Sequence, residues 1–545
     1  MATKKTRAKR AAKKRAQQRT AKKKKKSLHA RKRPRVVAKS RRAKNAKKKS
    51  ASRKRKTTKS AVAARRRAAL SKAVIETARS NQGQRVVVLF RDQLDVPQTR
   101  GFNDKRGEWR AIRALGAEDL VPVFANVAIV DSLEARSHRA RPDEQWPRYR
   151  NAFFLKLKRG SNTAKVVDTV SEMPEVRLAY EDTDPVPATD SCGTASDHLA
   201  GNGQGVNAQA AWELQGGLGE GQLCVDVEQG WVEHSRIAHH DRVDVLCGQI
   251  EGDIAHGTAV LGIVCGKQPP AGCQGIAPEI DAMRLASYSA SVFVPVPDRN
   301  ALPPNSIYEA FAEAVAFLTN PGPQYVDSAG GVLLIEVQTP DKGLPIEILP
   351  VMQWLITSAT ANGVTVIEPA GNGQQNLDVI QRTVTENGKT KIWFPLRGQP
   401  GDPDSGAIMV GAGRKDVTNG RHAAVTKSNF GSRVKCYAWG QGIRAPTLEL
   451  NSDLSLPAEH TACAEFGNPS GAAAIIAGVA LLLKGIAAKH GFALGPTRLR
   501  DVLEDPNNGT QSAPAAKIGS MPDLATILRM DNGISPVFGV PLIKR

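Results

Sequence analysis

The first acidic residue of this chain is Glu76. Ahead of it, Met1 to Lys72 carries 34 Lys and Arg side chains, a stretch of charge +34, while the remaining 473 residues hold 43 basic and 52 acidic side chains, a net of −9. Side chains that repel one another and include few large apolar groups cannot build a packed core, so residues 1–72 are predicted to be a disordered cationic tail. The fold must come from the mildly acidic body. The net +25 of the whole 545-residue chain describes neither part.

A Lys/Arg-rich arm releases condensed counterions when it lies along phosphates, which makes residues 1–72 a candidate for non-specific nucleic-acid binding. The tail has no aromatic residue for base stacking, so sequence-specific readout is not expected. No uninterrupted run of 18 apolar residues occurs and the tail has no apolar h-region, so neither a membrane partner nor a Sec-type signal peptide is expected, and the default location is cytoplasmic. Seven cysteines at irregular spacing, without a CxxC pair, argue against a zinc site and a disulfide framework.

From about residue 73 the composition turns globular. RVVVLF at 85–90 reads as a strand and residues 109–115 as helical; 151–158, 164–173 and 174–182 read as strand, helix and strand, a ferredoxin-like unit. The Pro/Asp-rich DTDPVPATDS at 182–191 reads as a linker. Beyond it, from residue 192 to 545, short apolar runs at 222–227, 282–285, 332–337, 364–368 and 407–411 alternate with helical stretches at 257–265, 306–318, 348–361 and 471–489. That alternation predicts an α/β domain with a parallel sheet and helices on both faces, whose chemistry gathers at the carboxyl ends of the strands.

Three segments combine strand ends, glycines and reactive side chains: LCVDVEQGW at 223–231, DIAHGTAVLGIVCG at 253–266, and FGNPSGAAAIIAGVALLL at 466–483. Nucleophilic hydrolysis needs a hydroxyl, an imidazole to take its proton and a buried carboxylate to orient the imidazole. Ser470 opens a long apolar helix, where backbone N–H groups and the helix dipole favour a developing oxyanion. Asn372, on the Gly371-Asn372-Gly373 turn after an apolar strand, is a candidate second oxyanion donor. His-Gly-Thr, Asn-Gly and Ser-Gly-Ala are each commonplace alone; their order along the chain, carboxylate then His then Ser, is the informative part.

With HGTAVLGIV, GIAP at 275–278, AGNG at 370–373, SNFGSRVKCYAWG at 428–440 and the serine helix, the chain resembles the subtilisin-like serine peptidases, the subtilase family, over residues 200–535. The resemblance implies a serine endopeptidase acting on protein or peptide substrates. It implies His256 as general base, Ser470 as nucleophile, Asn372 as oxyanion donor and residues 328–331 as the edge against which substrate pairs. Residues 73–191 are similar to the family's inhibitory propeptide, with 182–191 as the processing region. No cofactor is implied; calcium is frequent in the family, but no motif here locates it.

Two departures stand out. The family's Gly-Thr-Ser reads Asn468-Pro469-Ser470, and Ala474 replaces the proline usual after the serine. The acid is open between Asp226, preferred because a buried mid-strand Asp without a partner would be costly, and Glu228, which has the family spacing to the glycine turn. The competing expectation is a catalytically impaired subtilase-fold scaffold that binds nucleic acid.

Overall fold

The computed structural model describes residues 85–91, 112–182, 186–187, 197–232, 242–248, 250, 253–266, 274–289, 306–328, 331–386, 389–392, 404–446 and 463–545. These lie in one unit, Gly83–Arg545. The cationic tail expected over 1–72 lies outside the described residues, as does most of the 182–191 linker.

The N-terminal part is an antiparallel sheet built from β1 (Arg85–Phe90), β2 (Ala117–Pro122), β3 (Ala152–Leu157) and β4 (Val176–Glu181), with α1 (Val127–Ala140) before β3 and α2 (Thr163–Ser171) after it. Its strand order, β4-β1-β3-β2, is that of a ferredoxin-like sheet. After Arg85, which pairs with Asp182, β1 is apolar because both its faces are covered. Val86, Val88 and Phe90 share a small core with Val166 and Val170 of α2. Val87 and Leu89 join the main core, together with Val130 and Leu133 of α1. Asn162 caps α2 by accepting the Lys165 N–H at 3.0 Å. The sequence reading missed β2, because AEDLVP carries two acids, and α1, whose inward residues Val130, Leu133 and Ser137 are sparse.

After the two-residue strand β5 (Val186–Pro187) comes the main sheet. Its members are β6 (Leu223–Glu228), β7 (Val243–Cys247), β8 (Ala282–Ser287), β9 (Val332–Ile335), β11 (Thr365–Pro369), β14 (Ile408–Thr418), β15 (Arg421–Ala424), β16 (Cys436–Trp439), β19 (Gly509–Gln511) and β20 (Ser520–Pro522), in the order β19-β20-β16-β14-β11-β9-β6-β8-β7 with β15 on β14. Seven of its pairings are parallel, and only β14–β15 and β19–β20 are antiparallel. The expected mostly parallel α/β architecture is what the structure shows.

Four helices matter to the site: α3 (Ile254–Cys265), α4 (Ile307–Thr319), α5 (Pro350–Ala361) and α6 (Asn468–Lys489). By length and composition α6 could cross a membrane, but 89% of its apolar window is buried inside the fold, where it forms the central core helix.

The N-terminal sheet packs on α4 and α5. The Glu309 carboxylate of α4 accepts the Ala125 and Asn126 N–H groups at 3.0 and 3.2 Å, Tyr308 Oη donates to Asp182 at 2.8 Å, and Tyr149 Oη meets Ser358 Oγ at 2.7 Å. A hairpin from the main part, β12 (Thr383–Glu386) and β13 (Lys389–Ile392), adds to the open edge of β4 through Thr385↔Ala179 and Glu386↔Leu178. The result is a six-stranded sheet of four N-terminal strands and two from the middle of the chain.

Candidate active site

β6 ends at the site, and with a period of two its Cys224, Asp226 and Glu228 project to one face. Glu228, fully buried at the strand's carboxyl end, meets His256 Nδ1. Its other oxygen accepts the Gln229 N–H at 2.7 Å. Burial pushes the Glu228 carboxyl up, and the charge and hydrogen bond of His256 pull it back.

His256 lies in the first turn of α3, capped by Asp253, whose side chain accepts the His256 N–H at 3.1 Å. The next residue has to be glycine. A Cβ on Gly257 would lie 2.1 Å from Gly230 O and 2.7 Å from Glu228 Cγ, displacing the carboxylate that holds the imidazole.

The partner of His256 is therefore Glu228, not Asp226. Asp226 sits one strand repeat deeper, beside Cys224 and Cys265, and neither of its oxygens has a hydrogen-bond partner among the described residues. Burial first, and then the Glu228 charge, raise its carboxyl well above the usual carboxylate range. Burial thus disfavours the ionised form of Asp226 and lowers the charge penalty that favoured it as the catalytic partner.

Ser470 is fully buried in the first turn of α6, which packs against α3. Phe466, four residues earlier, stacks edge-on against the His256 ring with centroids 5.2 Å apart. Asn468 has a φ of +59°, so the chain enters the helix through a left-handed residue immediately before Pro469. Proline disfavours such a neighbour, making this an observed point of strain directly before the serine.

The sequence reading missed Glu336, between β9 and β10 (Val337–Gln338). It is fully buried and the Ser470 hydroxyl faces it. Burial, then the charges of Asp226 and Glu228, push its carboxyl well up, while Ser470 favours its ionised form. Nothing in the string LLIEVQ signals this role; only the pairing of β9 with β6 brings the three carboxyls together.

Asn372 follows β11 on a turn where Gly371 has a φ of +92°. Its backbone N–H donates to Gln338 Oε1 at 2.7 Å. Both polar atoms of its side-chain amide are buried and make no hydrogen bond among the described residues, the condition expected of a donor awaiting a ligand.

The substrate edge implied for residues 328–331 differs in the structure. Gly331 lies at the far end of β9, where a Cβ would meet Leu223 O at 2.4 Å, and residues 329–330 lie outside the described set. The edge with an extended antiparallel partner is β10, paired with β5 through Val337↔Pro187 and Gln338↔Val186. Among the described residues there is no group of three or more His, Cys, Asp or Glu side chains that could hold a metal ion.

No protein-family profile matches the chain, and no curated protein matches it. Solved structures do resemble it. A protease of Pseudoalteromonas arctica is 16% identical, with 61% of this chain and 95% of that one covered and a TM-score of 0.41. The MycP3 protease of a type VII secretion system is 22% identical, covering 64% and 92%, TM-score 0.41. Fervidolysin of Fervidobacterium pennivorans, a keratinolytic enzyme related to subtilisin, is 16% identical, covering 82% and 60%, TM-score 0.46.

Proposed function

We propose that this chain is a subtilisin-like serine endopeptidase. Ser470 Oγ attacks the scissile carbonyl and His256 Nε2 takes the hydroxyl proton. Glu228 holds Nδ1–H, fixing the tautomer and stabilising the imidazolium. Asn372 Nδ2 and a backbone N–H at the start of α6 take the oxyanion. The proton returns to the leaving amine, and water then hydrolyses the acyl-enzyme with the same base. The observation that carries this reading is the buried Glu228–His256 pair, at a strand end beside the N-terminus of a helix that opens with serine.

The N-terminal sheet is proposed as a propeptide-like domain. In support, it packs on α4 and α5, and the chain leaving β4 returns as β5 onto β10 next to the serine. No cofactor is needed for this chemistry.

Labelling by a fluorophosphonate probe and hydrolysis of a denatured protein test the reading. Both are expected of the wild type and lost in Ser470→Ala; equal labelling of the two forms rejects Ser470 as nucleophile. The competing reading, an impaired scaffold tethered to nucleic acid, is favoured by the Asn468-Pro469 departure and by the carboxyl facing Ser470. It predicts no labelling of either form.

A further inference from the structure

Of the two buried carboxyls outside the triad, Glu336 is the one that the Ser470 hydroxyl faces. Resting on the peptidase reading, we propose that Glu336 gates the nucleophile. As a carboxylate it takes the Ser470 hydroxyl away from His256 and blocks attack; as the neutral acid it releases the hydroxyl to the base. Hydrolysis then belongs to the acid side of the pH scale and is switched off as the pH rises.

The strand register puts Glu336 at the nucleophile. β6 and β9 run parallel with Asp226↔Leu334 and Val227↔Ile335 in register. The Glu336 N–H donates to Val227 O at 3.1 Å and carries the ladder one residue past β9. Glu336 therefore stands beside Glu228, and neighbours in register project to the same face of a parallel sheet. α6 packs on β9, on β11 and on α3. Ser470, in its first turn, and Glu336 are both fully buried. No hydrogen bond of ordinary geometry reaches either Glu336 oxygen among the described residues, and the hydroxyl that faces them is the nucleophile's.

Three carboxyls buried on one face cannot all ionise. Glu228 is the one with partners that favour the anion, the His256 imidazole and the Gln229 N–H at 2.7 Å. The groups that act on Glu336 are acidic or neutral: Asp226 and Glu228 from β6, and Ser470 from α6. α3 adds His256, held by Glu228, and Asp253, whose charge acts on Glu228. On the β11 side Ile367 pairs with Leu334, so the residue beside Glu336 is Pro369, and the acid of that strand, Glu368, responds to Glu347 and Arg433. β10 contributes Val337 and Gln338, neither of which titrates. Burial and like charges thus favour the neutral form of Glu336, and the Ser470 hydroxyl favours the ionised one. A carboxylate takes a hydroxyl in a charge-assisted bond about twice as strong as a neutral one, which competes with His256 Nε2. Its charge also opposes the oxyanion that forms next to Ser470 Oγ.

The test is the rate of fluorophosphonate labelling of the full-length protein from about pH 5 to about pH 10, beside Glu336→Gln, which is neutral at every pH. The wild type is expected to lose about 10-fold per pH unit once Glu336 ionises, a one-proton alkaline limb that reverses when the pH is lowered, with an unchanged circular dichroism spectrum. Glu336→Gln is expected to hold a plateau there and to label at least about 10-fold faster than wild type at the alkaline end. Glu336→Met, apolar and of similar length, is the second variant and is expected to lose the same limb. A purely structural Glu336 would change the variants' rates alike at every pH and leave the limb in place. A wild-type plateau up to the alkaline end, which needs no variant to fold, or a limb that survives in either variant, overturns the inference and leaves the peptidase reading standing. Absence of labelling at every pH overturns both.

Discussion

Glu228 and Asp226 lie two residues apart on one strand, both fully buried, and differ in what they touch. Glu228 has an imidazole and a backbone N–H; Asp226 has no hydrogen-bond partner among the described residues. If Glu228 holds the imidazole, Glu228→Gln should lower kcat/KM by about 1,000- to 10,000-fold by favouring the wrong tautomer, while Asp226→Asn should stay within about threefold of wild type. The second variant also has a pH signature. Folding raises the Asp226 carboxyl above its unfolded value of about 3.9. Folding thus favours its protonated form, and the stability linked to this group is full below that pH and lost as the pH rises through the folded value. Asparagine cannot ionise, so the melting temperature of Asp226→Asn should gain on wild type between pH 4 and pH 8; a constant difference would mean that Asp226 is ionised throughout. The candidate positions His256, Ser470 and Asn372 were legible as motifs because each sits at a strand or helix end with its glycines. The choice between two acids was not, because it turns on side-chain reach and on the space left by Gly257.

Elements that are continuous apolar runs, such as β6, α3 and α6, could be read from the chain. The β12–β13 hairpin could not, because its partner is more than 200 residues away and short strands in a polar stretch carry no signal of what they pair with. Yet it is one of the links between the two large sheets, beside the packing on α4 and α5. By adding to β4 it removes an exposed strand edge, and Arg382 beside it donates to Glu181 O and lies 5.4 Å over the Tyr180 ring. Local opening of the N-terminal sheet has to break these bonds as well as its packing on α4 and α5. In the Ser470→Ala background, which prevents self-cutting, replacement of residues 383–392 by a Gly/Ser linker should speed digestion of the N-terminal sheet by an added protease about 10-fold or more. An unchanged rate would show that the hairpin rides on the sheet without restraining it.

At the scale of the whole chain, the tail of charge +34 is covalently joined to the N-terminal sheet, and the −9 body contains the candidate site. The charge division was fully legible, because it needs no three-dimensional information. What it does to the molecule depends on the hairpin, which was not. Full-length protein should bind generic duplex DNA with an affinity that falls about 1,000-fold or more between 50 and 200 mM salt, and a chain starting at residue 73 should not bind, since its net charge is negative. A cut within the 182–191 linker would break the covalent link but leave the pairing of β12 with β4 intact. The cut enzyme should therefore remain on DNA through its non-covalently held N-terminal sheet, whereas the hairpin-replaced form, held only by the packing on α4 and α5, should leave DNA faster once it is cut. Gel filtration with DNA before and after processing separates the cases. Peptidase activity that co-elutes with DNA equally in both forms after cutting would place the DNA contact on the body and not on the tail.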